Sequence, residues 1–215
     1  MPPGKCWRFF RVNDFMEHAI EEIIQDLIQM AKRFHDACFQ TGNGGNLSAR
    51  YPGKDWMIVK GTDVAFSEVS EETLVITDFE GNVISGSIKA SKEALLHGAL
   101  YKRLPEAKAI MHCHSPWATG WASTGKPLEF ATYHSALKLK GEVAVFDSGT
   151  YAVLVDFFPV ILAHFDRCPE AKAFLLKGHG QVTIGKNIKD AAYNAELVEE
   201  TAQIAVIARL LNGSV

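Results

Sequence analysis

The sequence predicts an α/β protein: a single-domain α/β/α sandwich, residues 1–215, around one central mixed, largely antiparallel sheet. Three observations carry this. Helical and strand-like hydrophobic periods interleave along the chain with no repeat, low-complexity segment or clear linker. The early β-like runs are short and separated by turn signals, which suggests antiparallel or mixed pairing. The 215 residues, 47% of them hydrophobic, suffice for one sizeable core.

The elements follow in order. Asn13 caps a helix in which Met16, Ile20, Ile23, Ile24, Leu27, Met30, Ala31 and Phe34 recur at helical spacing before Gly42. Strand-like runs come next at Asn46–Arg50, Met57–Lys60 and Thr73–Thr77, divided by Tyr51-Pro52-Gly53-Lys54-Asp55 and Glu80-Gly81-Asn82. A helix from about Lys92 to Arg103, a buried strand carrying His112 and His114, a strand near Val143–Phe146, a helix through the 150s and a strand at Ala173–Lys177 form the middle. A last helix runs from about Ile188 to Leu211 and stops at Asn212-Gly213.

Composition excludes several functions. A net charge of −3 and a pI near 6.2 leave no electrostatic footprint for nucleic acid or an anionic membrane. No stretch reaches the ~18 apolar residues of a membrane span, and Met1-Pro2-Pro3-Gly4-Lys5 lacks an apolar signal core. Cys6, Cys38, Cys113 and Cys168 are widely spaced without a CxxC, as expected of reduced thiols in a cytoplasmic protein.

The chemistry-bearing residues begin with Ala109-Ile110-Met111-His112-Cys113-His114-Ser115. Alternate residues of a strand are about 6.6 Å apart and share a face, so His112 and His114 can lean toward one metal ion while Cys113 points away. Such pairs also arise by chance on exposed strands, and a third ligand decides between the readings. His179, in Leu175-Leu176-Lys177-Gly178-His179-Gly180, is a candidate at the end of an apolar run, although alone it also reads as a turn histidine. Three histidines with an open fourth position are the pattern of a catalytic zinc. Glu93, at a helix start favoured for a carboxylate, is the candidate acid/base; ordinary helix-start chemistry, with Ser91 as N-cap, produces the same spacing. His97, four residues on, can orient that carboxylate or be a satisfied helical histidine. His134 is a candidate supporting group beside Tyr133, and Glu196, Glu199 and Glu200 read as a solvated helix face.

Four motifs in order resemble the class II aldolase/adducin superfamily: Thr41-Gly42-Asn43-Gly44-Gly45-Asn46-Leu47-Ser48-Ala49-Arg50, Ser91-Lys92-Glu93, His112-Cys113-His114 and Gly178-His179-Gly180. The resemblance runs from about residue 16 to residue 211. It implies one Zn²⁺, or another divalent metal, per subunit on His112, His114 and His179, with Glu93 as acid/base and Tyr133 as an active-site tyrosine that assists protonation. It implies a small-molecule substrate whose anionic group meets Asn43, Gly45, Asn46, Thr62, Ser91 and Lys92, and a homotetramer with sites at subunit boundaries. Two positions depart from the superfamily's pattern: Asp63 stands where glycine is common, and Lys92 where the sugar-phosphate aldolases have a second serine. The resemblance implies a C-terminal tail that covers the site in the aldolases, and the four residues read after Leu211 are expected to be too few to supply it. The implied activity is a zinc-dependent aldolase acting on a small sugar phosphate or hydroxy-carbonyl compound. The alternatives are a decarboxylase or a methylthioribulose-phosphate-type dehydratase and, from another class, a non-catalytic adducin-like assembly domain.

Overall fold

Eight strands form one sheet in the order β4-β3-β2-β1-β5-β8-β7-β6. The structure, a computed structural model, describes residues 14–150 and 152–213; the cap at Asn13, residues 1–5 and Cys6 lie outside the described residues. The strands are β1 (Asn46–Arg50), β2 (Trp56–Lys60), β3 (Leu74–Asp78), β4 (Val83–Ser85), β5 (Ala109–Cys113), β6 (Val145–Phe146), β7 (Ala173–Leu176) and β8 (Gly180–Gly185). All neighbours pair antiparallel except β6 and β7, which are parallel. The expected mixed, largely antiparallel sheet is therefore what forms.

Helices cover both faces. Those flanking the sheet are α1 (Asp14–Asp36), α2 (Ala94–Arg103), α3 (Pro116–Ala122), α4 (Tyr133–Leu139), α5 (Phe158–Arg167) and α6 (Ile188–Leu211). On one face Leu27 and Phe34 of α1 and Ala191 and Ala195 of α6 pack with Leu47, Ile58 and Met111. On the other, Leu96 and Leu100 of α2 and Ile161 and Phe165 of α5 pack with Met57, Val59, Ile110 and Val182. The period of two thus splits each central strand between two cores. It also turns Asn46 and Ser48 of β1, and His112 of β5, toward the α2 side, because they alternate with Leu47, Ala49 and Met111.

Four expectations need correction. The helix placed in the 150s begins only at Phe158, after a 3₁₀ turn at Val155–Phe157, because Pro159 is tolerated only in a first turn. His114 is not in the strand: pairing ends at Cys113, and Pro116 opens α3 immediately afterwards. Beyond Gly178 lies β8, a central strand the sequence hides because its Gln181 and Thr183 are polar. Both are fully buried, with Gln181 Nε2 donating to Ser115 Oγ (2.6 Å) and Thr183 Oγ1 to Ala191 O (2.8 Å). Finally, Glu199 is not solvated. It is 4% exposed, and its carboxylate accepts the backbone N–H groups of Trp117 (2.9 Å) and Ala118 (2.8 Å), capping the α3 turn that follows His114.

Candidate active site

The site lies where β1 begins, β5 ends and β8 begins. Cross-strand register sets Asn46 opposite His112, so the glycine loop before β1 and the histidines after Met111 meet at one end of the sheet. The β7–β8 hairpin carries His179 to the same place, its glycines fitting backbone to backbone: a Cβ on Gly180 would stand 2.5 Å from Cys113 O and 2.9 Å from the His114 ring. From the α2 side Glu93 completes the group.

His112, His114 and His179 have ring centroids 4.8–4.9 Å apart, and one nitrogen from each lies within 4.8 Å of the others. The Nε2 atoms of His112 and His114 are 3.0 Å apart; Glu93 carboxylate oxygens are 3.2 Å from His112 Nε2 and 3.6 Å from His179 Nε2. His112 Nδ1 lies 2.8 Å from Gln181 O. A carbonyl can only accept, so Nδ1 carries the proton and Nε2 presents its lone pair to the cluster. Burial, then the neighbouring histidines, push the His114 pKa down to about 3, and burial followed by His112 lowers that of His179. With a lone pair on His112 Nε2, the 3.0 Å approach of His114 Nε2 suits an N–H···N bond from His114 in the metal-free protein and a shared cation once both nitrogens offer lone pairs. Donors ~2.1 Å from one tetrahedral ion stand ~3.4 Å apart, close to the 3.0, 3.2 and 3.6 Å separations here. The donor set fits a divalent cation.

Glu93 is the N-cap residue of α2, but its side chain makes no cap; it turns to the histidines and accepts from Asn46 Nδ2 at 2.7 Å. Ser91 Oγ instead accepts the Glu93 backbone N–H at 3.4 Å. Burial pushes the Glu93 pKa up, but His112, His179 and the Asn46 hydrogen bond outweigh it and hold the carboxyl below its ordinary range. His97 does not touch the carboxylate through its ring. It is fully buried, with Nδ1 2.8 Å from Ser48 Oγ, which also meets Tyr101 OH at 2.8 Å, and burial pushes its pKa down to about 3.

Above the histidines opens a cleft of about 230 Å³. Asn43, Gly45, Asn46, Thr62, Ser91 and Lys92 all line it, together with Glu93, His114 and His179. Asp63, also in the wall, has φ +57°, a left-handed conformation open to glycine and, among other residues, more readily to Asp and Asn. The departure at 63 therefore preserves the backbone turn while adding a carboxylate, which accepts from Asn43 Nδ2 at 3.5 Å. The sequence reading missed Lys60 as a site residue. Its ammonium, 2% exposed at residue level, donates to Val64 O (2.5 Å), Gly61 O (3.3 Å) and Asn43 O (3.5 Å) beneath the cleft. Burial pushes its pKa down to about 8, against the opposing charges of Asp63, Glu68 and Glu93. The signal available was a lysine one residue before a Gly-Thr turn. Tyr133 is not brought here within the chain: it is 97% exposed on the first turn of α4, outside the cleft wall, and His134 is exposed beside it.

Fold and site together define a class: an α/β sandwich whose central strands end in a three-histidine, one-carboxylate candidate metal centre under a small cleft. The chain belongs to the class II aldolase and adducin family, whose N-terminal domain profile matches residues 25–206. It is 34% identical over 182 residues to a 3-oxo-tetronate 4-phosphate decarboxylase of Haemophilus influenzae, covering 83% of this chain and 84% of the relative. It is 29% identical over 188 residues to an L-fuculose phosphate aldolase of Methanococcus maripaludis, covering 86% and 96%. A solved L-fuculose 1-phosphate aldolase superposes with a TM-score of 0.80 at 27% identity, covering 90% of this chain and 89% of that one. Among the described residues no helix is long and apolar enough to cross a membrane.

Proposed function

We propose that this chain is a metal-dependent carbon–carbon lyase of the aldolase type, acting on a small hydroxy-carbonyl substrate that bears an anionic group. The observation that supports this is the convergence of Glu93 with His112, His114 and His179 at the floor of a cleft lined by anion-binding groups. A divalent cation, zinc by the chemistry of the three imidazoles, would be held by the histidines and would supply Lewis acidity toward a substrate oxygen.

The chain's own residues do the rest. Asn43, Gly45, Asn46, Thr62, Ser91 and Lys92 hold the anionic group, with the Lys60 ammonium beneath them. Glu93 moves the proton. In cleavage, the hydroxyl that becomes the aldehyde gives its proton to the Glu93 carboxylate, the carbon–carbon bond breaks with its electron pair staying on the carbonyl side, and Glu93 passes that proton to the carbon left behind; in synthesis the same transfers run in reverse. The Asn46 Nδ2 bond fixes which carboxylate oxygen is engaged and leaves the other toward His179. Tyr133 serves the reaction only if a neighbouring copy presents it, as a homotetramer with sites at subunit boundaries would do.

A second reading, decarboxylation of a β-keto acid, is favoured by the 34% identity to the Haemophilus decarboxylase. Loss of CO₂ asks only for one proton delivered to the carbon left behind, a role Glu93 beside the histidines can fill. A purely assembling role would leave four converging donors without a use. The test is metal analysis of the purified protein followed by a panel of phosphorylated and unphosphorylated hydroxy-ketones and β-keto acids. Aldehyde release that stops with a chelator supports the first reading and CO₂ release the second; no divalent metal and no turnover of either class sinks both.

A further inference from the structure

We infer that Gln40 is a positioning residue that holds His114 in place and locks the glycine loop against it, an inference that rests on His114 being a metal ligand. His114 is the one histidine of the three that no strand or hairpin holds directly. The β5–β8 ladder ends at Cys113 opposite Gln181, and the β1–β5 ladder ends at His112 opposite Asn46. The backbone N–H of His114 is therefore beyond both registers, and it donates to Gln40 Oε1 at 2.8 Å.

Gln40 is built for this. It is 2% exposed although its side chain is polar. Its backbone N–H is tied to Phe34 O of α1 at 3.2 Å, so the first core helix anchors it. Its Nε2 donates to Thr41 O at 2.7 Å, at the entry to the Gly42–Asn46 loop. Gly45, at φ +64°, lies directly over the amide: a Cβ there would stand 2.5 Å from Oε1 and 2.9 Å from His112 O. One side chain thus replaces the missing strand partner of His114 and carries the loop that lines the anion cleft. Outer groups that orient metal ligands typically govern affinity by ~10–100-fold.

The experiment measures zinc affinity by competition with a chromophoric chelator, the visible spectrum of the Co²⁺-loaded protein, and thermal unfolding of the metal-free protein. Gln40→Met fills the same volume without either hydrogen bond. The expected result is zinc binding weakened ~10-fold or more, with an altered Co²⁺ spectrum in a protein that still unfolds cooperatively. Gln40→Glu keeps the acceptor for the His114 N–H but sets a second oxygen against Thr41 O, so it is expected to keep zinc affinity within ~10-fold of the wild type, which is the readout if Gln40→Met does not fold. Wild-type zinc affinity and spectrum in folded Gln40→Met would overturn the inference, reducing Gln40 to a space-filler. So would zinc binding in folded Gln40→Glu weakened by more than ~10-fold, since the acceptor for the His114 N–H is still present there. A wild-type protein that binds no metal would instead remove the metal reading itself, and this inference with it.

Discussion

Strands β1, β5 and β8 end in two clefts, and the smaller one holds the candidate metal centre. At the far end of the same strands a cavity of about 570 Å³ is lined by Arg50, Lys54, Lys108 and Lys186 with Asp26 and Asp55, against about 230 Å³ at the histidines. Size and charge alone favour the larger. Three of these six charges, however, are already engaged within the chain. Arg50 donates to Ala107 O (2.8 Å) and Tyr101 O and lies over the Phe79 and Tyr101 rings, Lys108 donates to Pro105 O (2.8 Å), and Asp26 pairs with Lys189 at 2.7 Å. At the histidine end, the Nε2 atoms of His112 and His114 face one another at 3.0 Å, and among the described residues the Nδ1 of His179 and the Oδ1 of Asn46 are buried without a partner. Open valence, rather than volume, separates a working end from a structural one.

That contrast breaks most sharply at His114. His114→Ala is expected to lose stoichiometric metal binding and to lower kcat/KM by about 10³-fold, measured by metal analysis and steady-state kinetics; unchanged activity would place the chemistry elsewhere. Glu93→Gln, which keeps the shape but not the proton, should retain substrate binding and lower kcat by about 10²-fold.

Titration sharpens the same difference. His97 and His114 are held neutral with pKa values down to about 3, whereas the unfolded chain titrates them near 6.5. Below pH 6.5 the unfolded state takes up protons the folded state refuses. Stability is therefore complete above that value and falls as the pH drops toward 3. For the metal-free protein the two groups together are expected to remove about 3 kcal/mol between pH 7.5 and 5.5, read from denaturant unfolding, with roughly half of the drop gone in His114→Ala. The far end contributes no histidine to this slope. Arg50→Ala tests that end directly: about 2 kcal/mol of stability should be lost with its charged hydrogen bonds, while turnover per folded molecule is unchanged.

The fold was legible wherever local period and packing agree. The run Asn46–Arg50 and the helix Ile188–Leu211 form with the bounds their periodicity predicts. In two of the elements the sequence hides, buried hydrogen bonds matter beside apolar packing: β8 through Gln181 and Thr183, and α3 through a carboxylate from α6 that reads on its own helix as solvated. The histidines, Glu93 and the loop residues were legible because spacing and motif order name them, and the structure brings them together. Lys60 was not, since a lysine at a strand end looks like surface until Val64 and Asn43 are seen to close over it. Tyr133 shows the converse: a residue carried by resemblance alone stands fully exposed in the single chain.

The smallest effect belongs to Lys92, exposed at the rim of the working cleft where the buried Lys60 already supplies a positive charge. A rim charge steers an anion and screens with salt, whereas a buried one shapes the pocket. Lys92→Ser should therefore raise KM for phosphorylated substrates by about fivefold, shrink that difference in high salt, and leave unphosphorylated analogues untouched. Steady-state kinetics with matched substrate pairs at two ionic strengths would read this. A gain on the phosphorylated partner instead would make Lys92 a discriminator against phosphate, pointing to a carboxylate as the group the cleft was built to hold.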